Sequence, residues 1–278
     1  MVGTLYVVAT PIGNLEDITL RAVRVLKEAD LIAAEDTRHT RILLDRYAVH
    51  TPLTSYHEHN EAAKAGELVG RLERGQSIAL VCDAGTPMLA DPGYRLVREA
   101  LKCGIRVMPV PGPSAVTAVL SASGLPTDRF VFEGFLPAKK GARAARLKTL
   151  AAETRSLVFF EAPHRIRETL AEMLARLGDR EVVLAREVTK TYEEFVRGRL
   201  SEVAASFAAK EPRGEFTLVV RGAEERPPPS AEILRAEIRK LAGKGLRVKE
   251  IAEILSERHS CPKKEVYRLA VESLKKGS

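Results

Sequence analysis

The sequence predicts an α/β protein: a parallel-sheet layer, then a mixed-sheet layer, then a small helical carboxyl-terminal part. Three observations predict it. Short runs rich in Val, Ile and Leu are apolar throughout instead of alternating, the mark of strands buried on both faces. Helix-period stretches separate the first of these runs, as crossovers between parallel strands require. Several later runs alternate, or follow one another too closely for a crossover helix, which implies antiparallel pairing.

Taken in order, residues 5–9, 31–34, 78–82 and 107–110 are the apolar runs of the first layer, and 17–29, 60–74 and 93–103 have helical period. A loop with Gly13 leads through Thr19 into the first helical stretch. After Gly112, residues 114–124 read as a helix, followed by strands at 129–134, 156–161, 181–186, 194–198 and 215–221. "EERPPPS", residues 224–230, is a charged, proline-stiffened linker that neither a strand nor a helix interior tolerates. Beyond it, helical patterns at 230–243, 248–259 and 263–275 have the short joins of a helix-turn-helix. The expected domains are 1–112, 113–222 and 231–278.

With 278 residues, 45% hydrophobic and 29% charged, the chain can bury a sizeable core and is neither disordered nor fibrous. Nothing approaches a span of about 20 apolar residues, and the amino terminus lacks the basic and apolar regions of a secretion signal, so a cytoplasmic protein is expected. Cys82, Cys103 and Cys261 are too scattered for a disulfide framework or zinc site and read as reduced, mostly buried thiols. The net charge of +7 is uneven, since residues 231–278 hold 12 Lys/Arg against 7 Asp/Glu.

Three segments share one plan, an apolar strand ending in a Gly/Pro loop: "YVVATPIGN", "ALVCDAGTPMLADPG" and "RVMPVPGPSAV". In a parallel sheet such ends lie on one edge, where ligands bind outside the carboxyl ends of the strands. Each loop alone could be a simple turn. Three on one edge, carrying Asp83, Thr86, Asp91 and Ser114, point to a site, and "GPSAV" can offer helix amides to a carboxylate or phosphate. No G-x-G-x-x-G, P-loop or G-x-S-x-G signature is present. A mostly neutral, backbone-rich pocket suits a ligand with an adenosine and an amino-acid end better than a triphosphate.

"LYVVATPIGNLEDIT", "AEDTRHTRILL", "SYHEHNE", "CDAGTPMLADPGYRLV", "VPGPSAVTAVLSASGLPTDRFVFEGFLP", "LVFFEAPHR" and "REVTKTYEEFVRG" together resemble the ribosomal RNA small subunit methyltransferase I family, of the tetrapyrrole methylase fold superfamily, over roughly residues 3–222. The resemblance implies a tetrapyrrole-methylase-like pair of α/β domains, S-adenosylmethionine in the cleft between them, no metal, a homodimer, and transfer to a ribose 2′-hydroxyl of a cytidine in the decoding region of 16S ribosomal RNA, naked or in the assembled 30S subunit. Matched position by position, it implies cofactor contacts at Pro11, Asp83, Thr86, Leu89, Ser114, Ala115, Phe160, Glu161, Phe216 and Thr217. Where this chain has Thr86, tetrapyrrole-acting relatives usually carry Asp, a departure that favours the RNA branch.

A ribose hydroxyl is a weak nucleophile at neutral pH, so a proton acceptor is sought. Asp36 follows an apolar strand at the expected edge; alternatively it caps a helix or pairs with Arg38 or Arg41. His57 can titrate near neutrality, or it and His59 are polar loop residues. Lys190 stands near the acceptor or on RNA phosphate, or is a solvated lysine among acids. The run "LPAKKGARAARLKTL", residues 136–150, holds Lys139, Lys140, Arg143 and Arg146 with no acid in sequence, and is expected to contact RNA. Together with the basic tail it would clamp a structured RNA. Two other readings stay open: methylation of a tetrapyrrole carbon on the same fold, and a metabolite-sensing DNA-binding regulator reading through residues 231–278.

Overall fold

A computed structural model describes residues 2–208, 211–224, 229–259 and 261–275. The chain divides into two compact units, Met1–Ala223 and Glu224–Ser278. Residues 225–228 of the expected linker lie outside the described residues.

The first layer runs β1 (Thr4–Val8), α1 (Leu20–Glu28), β2 (Leu31–Ala34), α2 (Thr37–Arg46), β3 (Leu53–Ser55), α3 (Glu61–Glu73), β4 (Ile78–Val81), α4 (Tyr94–Lys102) and β5 (Arg106–Val110). Its strands are all parallel, in the order β3-β2-β4-β1-β5. The unbroken apolar runs have a simple cause. Ile32, Ala34, Ala79 and Val81 pack with Val25, Leu26, Leu43 and Leu44 of α1 and α2, whereas Leu31, Ala33, Ile78 and Leu80 pack with Leu68, Leu72, Leu96 and Ala100 of α3 and α4. Successive side chains point to opposite faces, and both faces are covered.

The second layer comprises α5 (Ala115–Ser123), β6 (Phe130–Phe135), α6 (Lys140–Leu150), β7 (Ser156–Glu161), α7 (Ile166–Leu177), β8 (Glu181–Arg186), β9 (Glu194–Arg199), α8 (Leu200–Ala208) and β10 (Phe216–Val220). Its sheet is mixed, in the order β6-β7-β10-β8-β9: β6 and β7 are parallel and the remaining pairs antiparallel. Leu157, Phe159, Leu184, Phe216 and Leu218 face α6, α7 and α8; Val158, Ala185 and Val219 face Val116, Val119 and Leu120 of α5. The second unit is three helices, α9 (Ala231–Ala242), α10 (Val248–His259) and α11 (Lys263–Lys275), around Ile238, Ile251, Leu255 and Val266.

Strand and helix limits agree with the expected ones to within a few residues, but α2, β3, α6, α7 and α8 were not expected. The first helical stretch begins later, at Leu20, after a 3-10 turn Leu15–Asp17, because Thr19 accepts the Ala22 N–H and fixes the helix start. Cys82 is buried, but Cys103, at the end of α4, is exposed, a correction to the expectation of mostly buried thiols.

The basic run also needs correction. Arg143 is 1% exposed, with Nε 2.9 Å from Glu172 Oε2 and Nη2 2.8 Å from Glu168 Oε1, both on α7. Arg146 makes two 2.7 Å bonds to Glu133 on β6. The acids missing from the run in sequence are supplied in space: Arg143 is buried in its pair and turned away from solvent, whereas Arg146 is paired at the surface and 48% exposed. Lys139 and Lys140 stay exposed, and among the described residues neither has an ion-pair partner.

Helix α4 starts at Gly93, which has no side chain to cap it. The hydroxyl of Tyr56, a fully buried side chain just after β3, accepts the Leu96 N–H at 3.2 Å instead. Burial, with Glu61 nearby, pushes that hydroxyl's pKa up to about 12. Tyr56→Phe should therefore cost about 1–3 kcal/mol in chemical denaturation, the penalty of a buried unpaired N–H. Arg143→Ala should cost about 3 kcal/mol, since it leaves two carboxylates without their buried partner. Pairing with Arg143 lowers the Glu172 pKa below its ordinary 4.5, so this stabilisation is full above about pH 4.5 and is lost as pH falls through the lowered value. Stability measured across that range should decline less steeply in the variant.

Candidate active site

Three strand-end loops of the first sheet are tied to one another by backbone bonds and threonine hydroxyls. Thr10, just past β1, forms an isolated bridge with Gly85, past β4: the Thr10 N–H donates to the Gly85 carbonyl at 2.8 Å and the Gly85 N–H returns to Thr10 at 3.1 Å. The Thr10 hydroxyl adds a bond to the Cys82 carbonyl at 3.1 Å. The Thr86 hydroxyl donates to the Pro113 carbonyl at 3.1 Å, joining the β4 loop to the β5 loop. Gly85 adopts a φ of 84°, in the left-handed region, where a side chain is disfavoured.

These loops and the ends of β7 and β10 enclose a cleft of about 400 Å³, within the range of small-molecule sites. Thr86, Leu89, Ser114, Ala115, Phe160, Glu161, Phe216, Thr217 and Lys190 all line it. Pro11 and Asp83 line instead a smaller hollow next to it, with Thr10, Leu15 and Cys82. Ser114 is the N-cap of α5 but makes no capping bond, so the helix's first amides keep no side-chain partner. Glu161 is buried and engaged, accepting from Thr169 Oγ1 at 2.6 Å and paired with Arg165 at 3.4 Å. Phe135, its ring tilted against that of Phe160 with centroids 5.7 Å apart, and Pro163 also line the cleft, two residues that "EGFLP" and "EAPHR" carry but that no expectation singled out.

Lys190 enters from the far wall. Its ammonium lies 2.9 Å from Glu187 Oε1 and 3.1 Å from Glu215 Oε2. Burial opposes charge on both Lys190 and Glu187, but hydrogen bonding outweighs it: the bonds to Glu187 and Glu215 raise the lysine pKa, and the Glu215 N–H, with Lys190, lowers that of Glu187. Lys190 is therefore a fixed cation and not a base. Gly13 makes room for it, because a Cβ there would collide with the Lys190 side chain. Its neighbours Glu187 and Thr189 have φ of 51° and 67°; Met88 and Ala90, on the near wall, have 72° and 70°. Non-glycine residues in this region cost about 1–3 kcal/mol each and persist where the surroundings force them.

Two expected catalytic residues do not line the cleft. Asp36 is the N-cap of α2: it accepts the Arg38 N–H at 2.8 Å and pairs with the Arg38 guanidinium at 2.8 Å. Those bonds lower its pKa to about 2, so it is a committed anion and a poor proton acceptor. His57 precedes α3 and is bonded through Nε2 to Asn60 at 3.2 Å, while its buried Nδ1 has no partner. The capping alternative for Asp36 is the one the geometry supports.

Asp91 does line the cleft. Burial raises its pKa; a hydrogen bond from the Cys82 thiol pulls the other way and Asp83 adds to the rise. Burial raises the Glu35 pKa too, helped by Asp91 and Asp83. Among the described residues no group of His, Cys, Asp and Glu is arranged to hold a metal ion, and no helix is long and apolar enough to cross a membrane.

The family model of the tetrapyrrole (corrin/porphyrin) methylases matches residues 4–204. A ribosomal RNA small subunit methyltransferase I from a Synechocystis strain is 49% identical over 273 residues, covering 97% of this chain and 98% of that protein. One from Thermotoga maritima is 50% identical over 222 residues, 80% of this chain and 100% of that protein. Among solved structures, uroporphyrin-III C-methyltransferase from Thermus thermophilus complexed with S-adenyl homocysteine is 25% identical with a TM-score of 0.55, covering 78% of this chain and 97% of that one. The two sheets, the cleft at their strand ends and these matches together place the chain among the tetrapyrrole methylases, as a member of the ribosomal RNA small subunit methyltransferase I family.

Proposed function

We propose that the protein transfers a methyl group from S-adenosylmethionine to the ribose 2′-oxygen of a cytidine in the decoding region of 16S ribosomal RNA. The observation that carries this reading is the convergence of three sheet-edge loops with the β7 and β10 ends on one cleft. Membership of the family supports the ribosomal RNA substrate. The 2′-oxygen and the cytidine rest on the motif resemblance.

The cleft suits the donor. Uncapped amides at the start of α5 and the Ser114 hydroxyl match a carboxylate, and Phe135, Phe160 and Leu89 give an apolar wall for a flat ring. When bound, the donor supplies a sulfonium-activated methyl group. The chain's own task is to align the acceptor oxygen with that carbon, and positioning of this kind is worth roughly 7–11 kcal/mol. Loops held by backbone bonds, such as the Thr10–Gly85 bridge, suit that task. Lys190 would stand close to incoming phosphate or ribose. On this reading the domains 1–112 and 113–222 form the two walls, the protein works as a cytoplasmic homodimer, and residues 231–278 hold RNA.

Labelled S-adenosylmethionine should bind the purified protein and label 16S RNA or 30S particles, with the mark mapping to a cytidine ribose. Labelling of a porphyrinoid but of neither RNA nor particles would overturn the proposal in favour of tetrapyrrole methylation. For the RNA contact, Lys139→Ala with Lys140→Ala should flatten the slope of log affinity against log salt by about 1–2, as loss of two phosphate contacts requires.

A further inference from the structure

We propose that Asp91 is the catalytic residue that accepts the proton of the acceptor hydroxyl. This deepens the methyl-transfer reading and rests on it.

The cleft itself narrows the choice. Of its carboxylates among the described residues, Glu215 is held by Lys190 and Glu161 by Arg165 and Thr169. Asp91 lines the same cleft, and among the described residues no cation is paired with it; the Cys82 thiol nearby donates to the Ala84 carbonyl at 3.3 Å. The groups facing it are Cys82 and Asp83 after β4, Glu35 after β2, and Lys190 and Glu215 on the far wall. The near neighbours are anions or neutral, which favours a carboxylate that takes up a proton when one is offered.

The backbone fixes Asp91 in place. Among the described residues five non-glycine residues have left-handed φ, and four of them, Met88, Ala90, Glu187 and Thr189, lie in the two loops that line this cleft. Ala90 immediately precedes Asp91, and Pro92 follows it, which disfavours helical backbone at Asp91 itself. Next comes Gly93 with φ of 137°, where a Cβ would press on Leu80 and Met88. The Leu89 N–H closes a turn on the Thr86 carbonyl, and Thr86 is itself tied to Pro113. Strain kept on both sides of one carboxylate marks a group whose position matters more than its loop's stability.

The step balances simply. The ribose O–H bond breaks and its proton passes to the Asp91 carboxylate. The oxygen pair forms the new O–C bond to the methyl carbon while the C–S bond breaks, and its electron pair stays on sulfur, turning the sulfonium donor into a neutral thioether.

The full-length protein with Asp91→Asn should lose about 10²- to 10⁴-fold in kcat, the usual worth of a general base. Its Kd for S-adenosylmethionine and for the RNA substrate should stay within about twofold and its thermal midpoint near wild type, and Asp91→Glu should recover at least about tenfold over Asn. A kcat within about threefold of wild type overturns the proposal. So does a kcat loss matched by equal weakening of donor binding, which would make Asp91 a donor-binding residue. Should the Asn variant fail to fold, Asp91→Ser is read by the same criteria, and unfolding of both assigns a structural role instead. Failure of the function reading is separate: it appears as wild-type protein placing its methyl elsewhere than on a ribose oxygen.

Discussion

The cleft depends on one constraint, the backbone bridge between Thr10 and Gly85. Parallel strands end with carbonyls and amides that no neighbouring strand satisfies, and buried backbone groups must find partners. Here they find one another across adjacent loops: Thr10 with Gly85 and Cys82, Thr86 with Pro113, Ala9 with Val110. The near wall is thus set by main-chain bonds together with two threonine hydroxyls, so among its side chains Thr10 and Thr86 matter most to its shape. Gly85 and Gly13 matter for what they lack, the first permitting the left-handed turn at the bridge and the second admitting a side chain from the opposite layer.

Charge is divided between the walls. The first sheet contributes Glu35, Asp36, Asp83 and Asp91 near its strand ends, and one of these, Asp36, is neutralised by Arg38. The second contributes Lys190, steadied by Glu187 and Glu215. A polyanion approaching from solvent would meet a cation on one side and a carboxylate on the other, which restricts the orientations in which a sugar can dock.

Local patterns in the sequence revealed most of the fold. Buried strands announced themselves because both faces of the first sheet are covered, and the helices at 60–74 and 114–124 were legible through their ends: Asn60 and Arg74, Ser114 and a left-handed Gly124. The two possible fates of Asp36 were visible too, because capping is a matter of two residues. Short or highly charged elements such as β3 and α2 were not, since three strand residues and "TRHTRILLDR" give little period to read. Long-range pairing was invisible: nothing near Arg143 in sequence reveals Glu168 and Glu172, and nothing near Lys190 reveals Gly13. Left-handed backbone at Met88, Ala90, Glu187 and Thr189 leaves no trace either, because the residues that usually signal it are Gly, Asn and Asp.

The handedness of those loops also bears on heat tolerance. Glycine at Thr189 would relieve its backbone strain, yet it would also widen the freedom of the unfolded chain and loosen the peptide that holds the neighbouring ammonium in place. Added resistance to heat is therefore better sought in the helical layers than in the two loops that shape the cleft.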